Sequence, residues 1–274
     1  MLKHPAVRRF FYQVMSSSFK THEYSFASFH KDYITKEIFV SGLYERSLLS
    51  KLKEHFALDK KGGSIIDVGA NIGNHSVYFS KICKKVLSIE PNPACYFLIK
   101  ANLLANSCEN VTVLNKAVSD TIGTANLCFD YLHTGGGSIL PSGKKVETET
   151  IQVETVTLDS LMGEVEKISC LKIDAEGHEV NIINGARNLL TRDKPLVVFE
   201  AHDLSALKRT AKALDGLGYD KFFDLVQSRR LSNKRLFNLF HYLFHPNKVD
   251  VSQVDFSKEK GYQMVVACPK GFTF

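Results

Sequence analysis

A glycine-containing turn between two apolar segments constrains the fold of this 274-residue chain more than any other feature. The turn follows the β-branched segment 64–68 and contains Gly69 and Gly73, after which an amphipathic helical pattern begins. A second apolar run, 86–89, ends in Glu90. A strand, a glycine turn, a helix and a second strand that ends in an acid form the arrangement by which an open α/β sheet binds a nucleoside-containing cofactor.

The residue types of this turn suit such a cofactor. Glycines at 69 and 73 can adopt backbone angles closed to other residues and let a ligand approach the main chain. The unpaired N–H groups at the start of the next helix point to the same place, and Glu90 can accept two hydrogen bonds from a ribose diol. A tight turn also needs glycine for purely structural reasons, so the interpretation depends on Glu90. The pattern over 67–73 is Asp-x-Gly-x-Asn-x-Gly, which differs from the Gly-x-Gly-x-x-Gly of dinucleotide folds.

A second motif, over 171–179, again ends an apolar strand pattern in an acid, Asp174, and adds Glu176 and His178 before a helix. Ligands of open α/β sheets bind outside the carboxyl ends of the strands, so this loop is expected to face the same crevice. Buried acids are costly there unless they meet a cation, a metal or hydrogen-bond donors. Alternatively, Glu176 and Glu179 are first-turn residues favoured by the helix dipole. We accept this for Glu179 and favour function for Asp174 and Glu176.

Strand and helix patterns alternate from residue 64 onward. The predicted strands are 64–68, 86–90, 111–114, 169–174 and 195–200, and the predicted helices lie near 74–83, 93–106, 179–190 and 203–216. This alternation predicts an α/β fold whose sheet is doubly wound and mostly parallel, with helices on both faces.

The chain is expected to divide into an N-terminal leader, 1–60, and a main domain, 61–274. Within the leader we predict strand character over 34–40 and a helix over 44–56, where leucines repeat on one face.

Two regions interrupt the alternation of the main domain. Residues 117–157 read as extended segments with turns, which predicts an antiparallel ribbon. Residues 222–226 and 262–267 are predicted to form a final strand pair, with a basic aromatic insertion at about 228–260 between them.

Composition narrows the class of protein. Apolar residues make up 44% and charged residues 23%, as in ordinary globular domains, and a spread net charge of +6 does not argue for nucleic acid. The six cysteines lack C-x-x-C spacing and sit mostly in apolar runs, which predicts buried thiols in a reducing compartment and no zinc site. No run of about 18 apolar residues and no signal-peptide core occur. We therefore expect a cytoplasmic protein without a membrane-spanning helix.

Four segments resemble the FkbM family of S-adenosylmethionine-dependent methyltransferases: Ile-Asp-Val-Gly-Ala-Asn-Ile-Gly at 66–73, Ile-Glu-Pro-Asn-Pro at 89–93, Asn-Lys-Ala-Val-Ser-Asp at 115–120 and Leu-Lys-Ile-Asp-Ala-Glu-Gly-His-Glu at 171–179. Shorter segments at 157–161, 185–187 and 195–200 are similar too. The resemblance covers about residues 40–220, and its most specific part is 171–179. It implies a seven-stranded sheet of the class I methyltransferase type.

The resemblance also implies a role for each matching position. S-adenosylmethionine is expected to contact Asp67, Gly69, Asn71 and Gly73 around its methionine moiety, Glu90 at the ribose hydroxyls, Asn92 in the adenosine pocket, and Asn115, Lys116 and Ala117 beside the adenine. Asp174 and Glu176 match the loop beside the methyl-transfer centre. Similar proteins methylate hydroxyl groups, often on sugars or polyketide-like compounds.

Methyl transfer to an alcohol requires positioning and a general base. His178 is the first candidate base because its unperturbed pKa suits the task, although a histidine at a helix start can simply cap or pack. Glu176 or Asp174 could act instead, or hold a divalent cation, but the acids are too few to predict a metal. Glu200 and His202 end the next strand, so they are expected at the same rim, as substrate contacts or, for His202, as an alternative base. Alternatively, both side chains are simply solvated at the entry to the next helix.

Two loops are expected to bear on the acceptor. Ser138 ends a Gly-Gly-Gly-Ser stretch that is predicted to form a flexible loop over the pocket. Residues 229–245 carry leucines and aromatics beside positive charge, which is compatible with contact to an anionic membrane surface or a glycolipid. Such a stripe more often packs on its own domain, and its place between two strands favours a role in shaping the acceptor pocket.

The sequence therefore predicts an S-adenosylmethionine-dependent O-methyltransferase that acts on a small molecule or glycan, most simply a saccharide hydroxyl. Two alternatives remain open: a nicotinamide-dependent oxidoreductase, and a non-catalytic glycan- or membrane-binding module on the same fold. The sequence determines neither the acceptor nor the oligomeric state.

Overall fold

The computed structural model describes residues 23–29, 33–60, 62–129, 149–228 and 248–273. Its helices are α1 (Tyr33–Ser41), α2 (Arg46–His55), α3 (Asn74–Ser80), α4 (Pro93–Ala105), α5 (Glu179–Asn184), α6 (Arg187–Asp193) and α7 (Leu204–Asp215), with short 3-10 helices at Leu58–Lys60 and Asp159–Leu161. Its strands are β1 (Ser64–Val68), β2 (Lys85–Ile89), β3 (Val111–Leu114), β4 (Ala117–Val118), β5 (Gly123–Phe129), β6 (Glu149–Val156), β7 (Ile168–Ile173), β8 (Leu196–Ala201), β9 (Tyr219–Ser228), β10 (Lys248–Gln253) and β11 (Tyr262–Pro269).

The main sheet has eight strands in the order β10-β9-β11-β8-β7-β1-β2-β3. The five strands from β8 to β3 are parallel, whereas β11 runs antiparallel to β8 and β9, and β10 runs antiparallel to β9. The chain moves outward from β1 to β2 and β3, then returns to add β7 and β8 on the other side. This reversal opens a crevice at the carboxyl ends of β1 and β7, where open α/β sheets bind ligands.

Alternation along the central strands assigns each side chain to one of two cores. Ile66 and Val68 of β1 face the core that includes α5, α6 and α7, whereas Ile65 faces the core that includes Leu48 of α2. Asp67 lies on the same face as Ile65. An acid is therefore buried in the floor of the crevice, on the side that α2 covers.

The predicted α/β fold class is confirmed, and the five predicted parallel strands agree with the observed ones within one residue at each end. The sheet has eight strands instead of the expected seven because β10, from the region predicted as an insertion, pairs with β9. The final antiparallel pair is present as β9 and β11. A separate small sheet contains the predicted antiparallel ribbon, β5 with β6, and the short strand β4 parallel to β6.

Two local predictions were wrong. Residues 34–40 were expected to be a strand but belong to α1, because β-branched residues favour a strand only where a sheet offers a partner, and a helix satisfies its own backbone groups. The single helix predicted over 179–190 is two helices, α5 and α6. The break falls at Gly185 and Ala186, where the chain passes close to the residues after β4.

Some predictions concern other parts of the chain. The loop with Ser138 and the segment 229–245 lie outside the described residues, so their proposed contacts stay predictions. Within the described ranges, no helix combines the length and the apolar character that crossing a bilayer requires. Four of the six cysteine side chains, Cys95, Cys108, Cys170 and Cys268, are buried.

Gly185 provides a test of this packing. A Cβ atom there would overlap the backbone carbonyl of Ser119 and lie 3.1 Å from the Cα of Asp120. We expect Gly185→Ala to lower the free energy of unfolding by about 1–3 kcal/mol, as overpacking does. Gly163→Ala is the matched control, since nothing lies within 4 Å of a Cβ there. Chemical denaturation measures both variants, and equal effects would contradict this account of the break.

Candidate active site

A crevice lies at the carboxyl ends of β1, β2 and β7. The lining residues come from strand ends, the glycine turn, the loop after β7, the small sheet and α5: Val68, Gly69, Asn71, Ile89, Glu90, Pro91, Asn92, Lys116, Ala117, Val118, Leu127, Asp174, Ala175, Glu176 and Ile182. The crevice thus joins the two motifs that the sequence singled out.

The glycine turn has the left-handed geometry that its residues predict. Gly69 has φ 70° and Gly73 has φ 83°, with Asn71 at φ 51° between them. A Cβ atom on Gly69 would overlap the backbone carbonyl of Asp174, and one on Gly73 would lie 3.1 Å from Cγ2 of Ile99. Both glycines are therefore required by packing as well as by the turn, which brings the loop after β7 close to the turn after β1.

Glu90 is buried at the end of β2 and is only 7% exposed. Its Oε2 accepts the backbone N–H of Asn71 at 2.8 Å, and its Oε1 accepts that of Asn92 at 2.9 Å. Burial raises the pKa of Glu90 to about 7 despite these hydrogen bonds. Each carboxylate oxygen keeps acceptor capacity, so the side chain can still accept hydrogen bonds from a ribose diol.

The other predicted adenosine contacts divide into lining and supporting residues. Asn92 lines the crevice and caps α4, its Oδ1 accepting the N–H of Ala94 at 3.0 Å. Lys116 also lines it and pairs with Glu154 at 2.8 Å, and Ala117 is buried beside it. Asn115 is outside the lining, but its Nδ2 donates to the backbone carbonyls of Glu90 and Pro91 at 2.8 and 3.0 Å. It thereby supports the strand end that presents Glu90.

A buried lysine organises the floor of the crevice. Lys172 of β7 lies 3.2 Å from Oδ1 of Asp67 and 3.4 Å from Oδ2 of Asp174, and it donates to the carbonyl of Gly69 at 3.2 Å. Burial lowers its pKa, but Asp67 and Asp174 raise it more, so the ammonium stays charged. Asp67 also accepts the Ser76 hydroxyl at 2.6 Å and is fully buried. The contacts of Asp67 are thus with protein groups that lie beneath the glycine turn.

The sequence motifs did not single out Lys172 as a site residue, because attention fell on the acids around it. The available signal was a lysine inside an apolar strand, a position where an unpaired charge would be costly. Such a residue indicates buried carboxylate partners nearby.

A cluster of acids and one histidine forms the side of the crevice towards β8. Asp174 and Glu176 line the crevice, and Oε2 of Glu176 lies 2.9 Å from Nε2 of His202. Nδ1 of His202 lies 3.8 Å from Oε1 of Glu200. Of the two predicted rim residues, His202 therefore contacts the loop acid Glu176, and Glu200 contacts His202.

These groups have shifted pKa values. Burial and the charge of Asp174 raise the pKa of Glu200 to about 7, and the same causes raise that of Glu176. Burial lowers the pKa of His202, but Glu176 and Glu200 outweigh it and the net shift is upward. The cluster can therefore exchange protons near neutral pH.

His178 points elsewhere. Its Nε2 lies 3.0 Å from the Ser119 hydroxyl, its ring is buried, and it is absent from the crevice lining. Burial lowers its pKa. This contact supports the alternative interpretation, in which His178 packs at the start of α5 against Ser119, which follows β4. As for metals, the described residues contain no group of three or more His, Cys, Asp or Glu arranged to hold an ion.

The family model for the methyltransferase FkbM domain matches residues 67–221, more than half of the chain. The chain belongs to the FkbM methyltransferase family. Methyltransferase sdnD of Sordaria araneosa is 26% identical over 238 residues, 75% of this chain and 87% of sdnD. Hexuronic acid methyltransferase AglP of Haloferax volcanii is 30% identical over 139 residues, 50% of this chain and 54% of AglP.

Solved structures agree on the fold. Methyltransferase FkbM from Methylobacillus flagellatus has a TM-score of 0.51 at 15% identity, covering 84% of this chain and 49% of that one. An S-adenosylmethionine-dependent O-methyltransferase from Thermotoga maritima has a TM-score of 0.50 at 15% identity, covering 88% and 73%. The FkbM-family chain is thus an S-adenosylmethionine-dependent methyltransferase with the class I fold, and the oxidoreductase alternative is set aside.

Glu90 tests the cofactor site of this methyltransferase. We expect Glu90→Gln to weaken S-adenosylhomocysteine binding by about 10- to 100-fold, since a hydrogen bond to a charged group contributes roughly 1.5–3 kcal/mol. Because the pKa of Glu90 is about 7, wild-type affinity should fall as the pH decreases through that value and the carboxyl gains a proton. The variant's affinity should lack this dependence. Titration calorimetry at several pH values measures both.

The matched control for that titration is Glu109→Gln, an exposed acid in the loop between α4 and β3. Its affinity should follow the wild-type pH profile. A wild-type affinity that is independent of pH would contradict the role of Glu90.

Lys172 tests the floor of the site. Lys172→Met leaves the fully buried Asp67 without its cation, so we expect a loss of about 3–5 kcal/mol in the free energy of unfolding. Lys84→Met, which breaks an exposed pair with Glu166, should leave the unfolding transition unchanged. Thermal and chemical denaturation compare the two. Similar transitions for both variants would show that the Lys172 pair is not structurally required.

Proposed function

We propose that this protein transfers a methyl group from S-adenosylmethionine to a hydroxyl group, most simply that of a saccharide or glycoconjugate. One observation carries the proposal: the crevice that presents Glu90 continues into a cluster of ionisable side chains, Asp174, Glu176, Glu200 and His202. A nucleoside site and a base cluster in adjacent positions are what alcohol methylation requires.

The residues present fit the cofactor. Glu90 keeps two acceptor positions for the ribose hydroxyls, Asn92 and Ala117 flank the adenine side, and the left-handed turn at Gly69 and Gly73 brings backbone close to the ligand. S-adenosylmethionine supplies an electrophilic methyl group on a sulfonium. The protein's task is to hold donor and acceptor in line, because positioning provides much of the rate of such a displacement.

The acid cluster has the task of orienting the acceptor and taking its proton. Asp174 is held by Lys172 at the edge of the crevice, so its carboxylate can accept a hydrogen bond from the acceptor hydroxyl. Glu200 is half protonated near pH 7, and His202 connects it to Glu176. We assign the proton-acceptor role to this group and not to His178, whose ring contacts Ser119.

Two observations support a saccharide acceptor. AglP, a relative over half of this chain, is described as a hexuronic acid methyltransferase. Carboxylates at a pocket rim, such as Asp174 and Glu200, can accept hydrogen bonds from several hydroxyl groups at once. The cytoplasmic location, the absence of a metal requirement and the membrane contact of 229–245 stay predictions.

Radiolabelled methyl transfer tests the proposal directly. Wild-type protein, S-adenosylmethionine with a labelled methyl group, and an extract of the source cells should yield a product that carries the label in a methyl ether, whereas a labelled methyl ester would overturn the assignment to a hydroxyl group. Calorimetry with S-adenosylhomocysteine runs in parallel. Cofactor binding without any labelled product would favour the non-catalytic module, and label on nitrogen or carbon would overturn the O-methyltransferase assignment.

Substitution of Asp174 tests the proposed acceptor side of the site most directly. We expect Asp174→Asn to bind S-adenosylhomocysteine within about threefold of wild type but to lose roughly 100-fold or more in transfer rate, the range of general acid–base effects. The exposed Asp220 provides a matched control, Asp220→Asn, which should transfer at the wild-type rate. Undiminished transfer by Asp174→Asn would remove Asp174 from the reacting centre.

A further inference from the structure

The turn between α1 and α2 contains Tyr44 and Glu45 and lies outside the matched family domain. Hydrogen bonds to a distant side chain hold its backbone in place. Asn74 clamps its backbone from both sides: the N–H of Tyr44 donates to Oδ1 at 2.9 Å, and Nδ2 donates to the Tyr44 carbonyl at 3.0 Å. Glu45 has φ 56°, a left-handed conformation that is uncommon outside glycine. Strained backbone of this kind persists where the surroundings over-determine it.

The carboxylate of Glu45 is buried between two partners that are distant in sequence. It lies 3.2 Å from Nε2 of His75 and accepts the Nε2 amide of Gln263 at 2.7 Å. His75 lies in the first turn of α3, just beyond the glycine turn, and Gln263 is near the start of β11. The turn is thereby tied to the cofactor loop on one side and to the antiparallel strand on the other.

Sheet topology shows what lies beneath this link. Between β1 and β11 in the sheet stand β7 and β8. Side-chain alternation places Lys172 and Glu200 on the face of Cys170 and Val198, which is the face that α2 covers. The Tyr44–Glu45 turn therefore lies over the carboxyl ends of the strands that lead to Asp174 and Glu200.

The Tyr44 ring is half-buried at this place. It stacks on the His75 ring with centroids 6.1 Å apart and planes 17° apart, and it meets the edge of Tyr33 at 6.2 Å. Burial and the charges of Glu45, Asp174 and Glu200 raise the pKa of Tyr44 far above its usual value, so the phenol stays neutral. The half-buried ring is an apolar body with one neutral polar tip, in a place where the charges of Asp174 and Glu200 act on it.

We propose that Tyr44 contacts the methyl acceptor and forms the wall of its site on the α2 side of the crevice, with Asn74, His75 and Glu45 as positioning residues for it. The inference rests on the proposed function. An aromatic side chain close to carboxylates suits a polyhydroxylated ring, whose C–H groups pack on the exposed part of the aromatic ring while its hydroxyls donate to Asp174 and Glu200. The acceptor class is therefore a saccharide ring.

The same contacts couple the two halves of the site. Asn74 and His75 follow Gly73 directly, so the residues that hold Tyr44 belong to the helix whose first turn faces the cofactor. Acceptor wall and cofactor turn are thus parts of one packed unit.

The test compares Tyr44→Ala and Tyr44→Phe with wild type in the full chain. Labelled methyl transfer is measured over serial dilutions of one batch of source-cell extract, and S-adenosylhomocysteine affinity is measured by calorimetry. We expect Tyr44→Ala to raise the half-saturating extract concentration by roughly tenfold with a similar maximal rate, the signature of lost acceptor binding. Cofactor affinity should stay within about twofold. Tyr44→Phe should restore the half-saturating concentration to within about threefold.

Phe97→Ala is the matched control, because this aromatic side chain is 67% exposed on α4, near the β2–β3 edge of the sheet. It should behave as wild type in both measurements. An unchanged half-saturating concentration for Tyr44→Ala would overturn the inference while wild-type transfer upholds the proposed function. A parallel tenfold loss of cofactor affinity would assign Tyr44 to the cofactor instead. A wild type that binds the cofactor but transfers no label would overturn both.

Discussion

The ion-pair group around Lys172 is the interaction on which the site depends. Its ammonium joins three pieces of backbone that leave the sheet at the same edge: Asp67 at the end of β1, the Gly69 carbonyl in the turn, and Asp174 after β7. The N–H of Asp174 also donates to the carbonyl of Val68 at 3.1 Å. A charged group this deeply buried is stable only with well-placed partners. The contacts of Lys172 therefore fix the geometry of the crevice floor and also keep its groups charged.

Around this floor the crevice has two sides with different chemistry. On the β2 side, backbone N–H groups hold the Glu90 carboxylate, and the surroundings suit a nucleoside. On the β8 side, Glu176, Glu200 and His202 share close contacts in partly exposed surroundings, which suits an acceptor that must lose a proton. The N-terminal turn with Tyr44 covers this second side through its contacts to α3 and β11. The proposed function places the meeting point of methyl donor and acceptor beside Asp174.

Much of this could be predicted from the sequence because the signals are local. Apolar runs that end in acids marked the strand ends at Asp67, Glu90 and Asp174, and the glycine spacing marked the left-handed turn. One prediction failed because propensity alone does not decide between strand and helix: residues 34–40 were expected to be a strand and belong to α1. Contacts between residues distant in the chain could not be predicted either. The Ser119 hydroxyl that lies beside the His178 ring is 59 residues away in sequence.

The sequence by itself determined the alternation of strands and helices, the turn geometry at Gly69 and Gly73, and the family to which the chain belongs, since each follows from residue types at short, fixed spacing. Only the tertiary structure decided which charges meet. It paired Lys172 with Asp67 and Asp174, joined His202 to Glu176, and brought Glu45 to His75 and Gln263. The physical reason is that strand order and side-chain alternation, not chain distance, place these groups within a few ångströms of one another.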